Sequence, residues 1–117
     1  MHLVDEVLSQ TADVFGRTSA ELVGRSRQRP IVEARQAAMW AIRQHYPSLS
    51  LETIGMALGG RHYTTVMHAL AAVEERAQQS ASYRAQLQQL IVRVTASARP
   101  VRRSASGQID DVAGRRI

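Results

Sequence analysis

Apolar side chains recur at three- and four-residue spacing almost from the first residue, the period of a helix with one buried face. Leu3, Val7, Thr11, Val14 and Phe15 form the first stripe, and Gly16 ends it. Ser19 is placed to cap a short second helix through Glu21, Leu22 and Val23, which Gly24 closes. A polar loop, Arg25-Ser26-Arg27-Gln28-Arg29, leads to Pro30, whose fixed φ and missing N–H suit the first turn of a helix. That helix is expected to run to about Tyr46, with Ile31, Ala34, Ala38, Met39 and Ile42 inward and Pro47 as its stop. Trp40, mid-helix in an apolar stretch, reads as core.

Ser48 or Ser50 can cap the next helix, in which Leu51, Ile54 and Leu58 point inward and Glu52 lies near the positive end. Gly59 and Gly60 break it. From His62 to about Gln79, the residues Val66, Ala69, Leu70, Val73 and Ala77 form one stripe, which leaves Thr64, Thr65 and His68 outward. Ser80 and Ser82 mark a joint before a last helix built on Leu87, Leu90, Ile91 and Val94. No period-two alternation occurs, so the expected class is all-α, a small helical bundle within residues 1–98. Residues 99–117 are rich in Arg, Ser, Gly and Asp without periodicity, and are expected to form a flexible basic, polar tail.

The functional signal lies at Gly59-Gly60. A glycine corner, then Arg61, then short hydrogen-bonding side chains at the start of an amphipathic helix is the layout of a helix-turn-helix, whose second helix enters the major groove of DNA. Charge supports a polyanionic partner: the formal net charge is +5 and all 15 basic residues are Arg, which pairs with phosphate in a planar fork. Arg25, Arg27, Arg29, Arg35 and Arg43 are opposed in that stretch only by Glu33. The absence of Lys excludes a P-loop, and 117 residues hold one domain and one job.

Other chemistries fail on residue type. Without cysteine there is no disulfide, thiol catalysis or thiolate metal site. His62 and His68 are six residues apart, whereas two ligands on one helical face need four, so no metal is expected. No nucleophile, base and orienting group come together in sequence, so neither an enzyme nor a cofactor is expected. No apolar stretch approaches the length that crosses a bilayer, and Met1 to Glu6 does not form a leader; the expected location is the cytoplasm, on the nucleoid.

Several segments resemble the C-terminal DNA-binding domain of the bacterial replication initiator DnaA family. They are Arg25 to Gln36, Ser50-Leu51 with Ile54-Gly55, and above all Gly59-Gly60-Arg61 followed by Thr64-Thr65-Val66 and His68-Ala69. The likeness runs from Val4 to about Val94. It implies a Trp-repressor-like helix-turn-helix bundle that binds double-stranded DNA as a monomer. The ATPase that a full initiator carries upstream is not in this chain, so a stand-alone reader domain is expected.

Carried over residue by residue, the resemblance implies base contacts from Arg27, in the minor groove, and from His62, Tyr63 and Thr64, in the major groove. It implies phosphate contacts from Arg25, Arg29, Arg35, Gln36, Arg43, Ser50, Leu51, Arg61, Thr65 and His68. For Arg35 the alternative is an internal ion pair near Glu33 or Glu21. Departure occurs at His62-Tyr63, where the family normally has Asp then His. An Asp accepts from a cytosine amino group, whereas a neutral His donates or accepts. The expected function is control of replication initiation or transcription; the alternative is a protein-interaction adaptor or antagonist of an initiator, with a replication or transcription protein as partner and an altered or lost DNA site.

Overall fold

The computed structural model describes residues 2–98, with side chains from residue 3 to residue 97. The expected tail, 99–117, lies outside them. Helix α1 (His2–Phe15) buries Val4, Val7, Leu8, Thr11 and Ala12, while Leu3 is exposed. The inward face is thus rotated slightly from the stripe read in sequence, because positions 3 and 4 both lie within helical reach of position 7 and packing chooses between them. Thr11 is tolerated inside because its hydroxyl donates to the Val7 carbonyl at 2.7 Å.

Helix α2 (Ser19–Val23) is capped by Thr18, not by Ser19. The Thr18 hydroxyl accepts from the Glu21 N–H at 3.1 Å, and the Glu21 carboxylate accepts from the Thr18 N–H at 2.8 Å. This reciprocal box has a sequence signal, Thr followed three residues later by Glu. Thr18→Ala is expected to cost about 1 kcal/mol, seen as a lower urea midpoint; an unchanged midpoint would show that the cap contributes nothing.

Helix α3 (Arg29–His45) begins after Gln28 with Pro30 in its first turn and runs through the centre of the bundle. Its buried face carries Ile31, Ala34, Ala37, Ala38, Met39, Ala41 and Ile42, and the alanines let α1 and its other neighbours come close. Trp40 is half-buried against this core. Helix α4 (Leu51–Ala57) is capped by Ser50, whose hydroxyl accepts from the Thr53 N–H at 3.0 Å. Helix α5 (Tyr63–Gln79) packs on both α3 and α4, and turns the buried side chains of Val66, Ala69 and Val73 inward.

Helix α6 (Ala81–Ala98) closes the bundle against α1. Tyr83 near its start meets Phe15 at a centroid distance of 5.9 Å, and Ser97 near its end meets Gln10 at 3.0 Å, so the two helices run in opposite directions. Tyr83 is buried; its hydroxyl donates to the Glu33 carbonyl and accepts from Arg76, both at 3.2 Å. Burial raises its pKa above the ordinary phenol value, which keeps that donor in place. Among the described residues there is no strand, and no helix is long and apolar enough to cross a membrane.

Candidate nucleic-acid interface

Two left-handed glycines make the corner between α4 and α5, Gly59 at φ 91° and Gly60 at φ 79°. The Gly60 N–H donates to the Met56 carbonyl at 3.2 Å and the Arg61 N–H to the Gly55 carbonyl at 2.8 Å, so the chain folds back on α4. Space there is minimal. A Cβ on Gly55 would lie 2.1 Å from the Arg61 carbonyl oxygen, and one on Gly59 would lie 2.2 Å from that of Val23. The second distance shows that the end of α2, just before the basic loop, is pressed directly on the turn.

Three guanidiniums hold this junction. Arg61 donates to the Leu58 carbonyl beside it and reaches across to the Gly24 carbonyl, while Arg25 reaches back from the loop to the Gly59 carbonyl at 3.1 Å. Arg35 is buried and donates to three carbonyls, those of Leu22 (2.7 Å), Glu21 (3.0 Å) and Ser26 (3.0 Å). Two of these belong to the C-terminal end of α2, where a five-residue helix leaves carbonyls without intrahelical partners. Burial first, then the charge of Arg25, lowers the Arg35 pKa; burial, then Arg35 and Arg25, lowers that of Arg61. Arginine remains charged under such shifts, so the three form a fixed positive cluster.

Other residues expected at phosphate also have internal roles. The Gln36 amide oxygen accepts from Arg76 at 3.0 Å, and Arg43 donates to the Leu49 carbonyl at 2.9 Å. Glu33 does not pair with Arg35; its carboxylate lies 3.0 Å from Arg29 and 3.4 Å from Arg76. Arg29 keeps its side chain 86% exposed, so solvent screens that pair. Arg27 is exposed and has no hydrogen-bond or ion-pair partner among the described residues.

At the start of α5, His62 is the N-cap, and its Nδ1 accepts from the Thr64 N–H at 3.2 Å and lies 2.8 Å from the Thr64 hydroxyl. The Tyr63 ring rests on that of His62, with centroids 4.6 Å apart and planes inclined at 31°. Thr65 and His68 are exposed and have no side-chain partner among the described residues, and Thr64 is half-buried. One shallow cleft lined by Ser50, Leu51, Glu52 and Tyr63 runs beside the start of α4. A second, lined by Glu52, Met56, Gly60, Arg61, His62 and Tyr63, continues it along the turn. The structure therefore brings the starts of α4 and α5 together on one side, with the loop carrying Arg27 packed against the same turn.

Sequence reading missed three contributors. Arg76, in the last turn of α5, joins Gln36, Glu33 and Tyr83 across three helices; nothing in its local sequence marks it. Exposed Met56 and Met67 add apolar surface on either side of the turn.

A family model described as the bacterial dnaA protein helix-turn-helix matches residues 4–73, from α1 to the fourth turn region of α5. The chain belongs to the bacterial DnaA helix-turn-helix family. Curated relatives include chromosomal replication initiator proteins DnaA. That of Synechococcus sp. (strain JA-2-3B'a(2-13)) is 39% identical over 97 residues, covering 81% of this chain and 21% of the relative. That of Caulobacter vibrioides (strain NA1000 / CB15N) is 40% identical over 79 residues, 67% of this chain and 16% of the relative. That of Corynebacterium jeikeium (strain K411) is 39% identical over 93 residues, 80% of this chain and 16% of the relative. The chain thus spans about a fifth or less of these DnaA proteins. The matched residues include α4, the Gly59-Gly60 corner and the first part of α5.

Proposed function

We propose that this chain binds double-stranded DNA with sequence preference, and acts in control of replication initiation or transcription without catalysing a reaction. The observation that carries the reading is the exposed start of α5, with His62, Tyr63, Thr65 and His68 outward, set against a clamped loop that leaves Arg27 free of internal partners. In this reading the start of α5 enters the major groove, and Arg27 enters the neighbouring minor groove. His62, Tyr63 and Thr64 meet base edges. Thr65, His68, Arg29 and the N–H groups at Ser50-Leu51 meet phosphate, with Arg25, Arg43 and Gln36 supplying donors left over from their internal bonds.

Gln36 illustrates the logic, since Arg76 occupies its amide oxygen and leaves the NH2 group as the donor for phosphate. Arg35 and Arg61 act differently: they shape the loop and add to the positive field, while their N–H groups stay on carbonyls. One copy on each site, at the nucleoid, completes the reading.

Arg27→Ala and Thr64→Ala are each expected to weaken a selected duplex by about 1–3 kcal/mol in titrations at two salt concentrations. Thr64→Ala should leave unselected duplexes nearly unaffected. Equal loss on every sequence would sink base reading by Thr64, and failure of the native chain to retain any duplex at low salt would sink DNA binding altogether. The adaptor reading draws on exposed Met56, Tyr63 and Met67. A stoichiometric protein partner, captured after nuclease treatment and indifferent to Arg27→Ala and Thr64→Ala, would favour it.

A further inference from the structure

We propose that the start of α5 locks His62 as the tautomer protonated on Nε2, and that this N–H selects against cytosine, for a base that offers an acceptor in the major groove. The proposal rests on the DNA-binding reading above and names what that site reads. A backbone amide can only donate, so the bond from the Thr64 N–H at 3.2 Å requires a bare lone pair on His62 Nδ1. The neutral ring then carries its hydrogen on Nε2.

The same constraint fixes Thr64. Its hydroxyl lies 2.8 Å from an Nδ1 that has no hydrogen to give, so the hydroxyl donates and keeps its oxygen lone pairs for a partner. A half-turn of the imidazole would put carbon where Nδ1 stands and lose both bonds, and the Tyr63 ring packed at 4.6 Å further restrains the plane. His62 is exposed, so the remaining ring nitrogen is open to a ligand.

An exposed N–H donor finds an acceptor on adenine N7, on guanine N7 or O6, or on thymine O4. Cytosine offers only an amino donor there, which an N–H cannot use. The side chain at position 62 is thereby a specificity determinant as well as a helix cap. His62→Asp separates the two roles, because Asp also caps a helix but presents only acceptors.

The test is selection of bound duplexes from a random library by the full chain and by its His62→Asp variant. At one position cytosine should be disfavoured by the native chain and favoured by the variant, a change of about tenfold or more in preference, with the other positions kept. An unchanged preference, or cytosine at that position with the native chain, overturns the role of His62. If the native chain retains no duplex, the DNA-binding reading itself is overturned. Ring 15N shifts of His62 in the free protein give an independent readout. They should show Nε2 protonated and Nδ1 bare; the reverse tautomer overturns the proposal whatever the selection shows.

Discussion

Arg35→Ala is expected to lower folding stability by about 3 kcal/mol or more, although the residue lies in a stretch that reads as a phosphate-binding patch. The side chain is 6% exposed and its guanidinium serves three carbonyls at 2.7–3.0 Å. Removing it leaves the buried Leu22 carbonyl and the part-buried Ser26 carbonyl without those donors, while the Glu21 carbonyl keeps only the Gly24 N–H, and a buried acceptor left unpaired costs about 1–3 kcal/mol. Arg35→Lys should restore little, because one ammonium on a flexible stem cannot reproduce a planar fork. Urea unfolding measures the loss. DNA affinity should fall as well, through disorder of the loop that carries Arg27. Native stability in Arg35→Ala, combined with weaker DNA binding and a flatter salt slope, would instead make Arg35 a direct phosphate ligand.

The second large effect should separate two neighbouring glycines. Both have left-handed backbones, so alanine is strained at either, by about 1–2 kcal/mol. At Gly60 nothing lies within 4 Å of a new Cβ, and Gly60→Ala should cost no more than that strain. At Gly59 the Cβ would also sit 2.2 Å from the Val23 carbonyl oxygen, against backbone that has no rotamer to yield. Gly59→Ala should therefore force the end of α2 and the loop that follows it off the turn and cost at least about 3 kcal/mol. Paired urea titrations decide it, and equal losses in the two variants would show that the end of α2 and the turn are not in contact.

Most of the architecture was open to reading along the chain because its determinants are local. Helical periodicity marked α3 and α5, Pro30 marked one start, Ser50 was one of two candidates for another, and the paired glycines marked the corner. The Thr18 cap was just as local, yet Ser19 drew the reading one residue late. The face of α1 is a different matter, since Leu3 and Val4 are nearly equivalent until α3 and α6 cover one of them. Pattern identifies a stripe; neighbours decide its exact edge.

The candidate site divides along the same line. Residue types by themselves determined an all-helical chain with an arginine-rich loop, a glycine corner and a polar start to the helix that follows, since each depends on side-chain chemistry and spacing within a few positions. Only the tertiary structure decided which arginines face outward. Arg27 and Arg35 are the same residue type eight positions apart, but the carbonyls that hold Arg35 come from another helix and a loop, 9 to 14 residues away in sequence. A guanidinium is placed by whichever acceptors the fold leaves unpaired near it, and that arrangement exists only once the backbone has closed on itself.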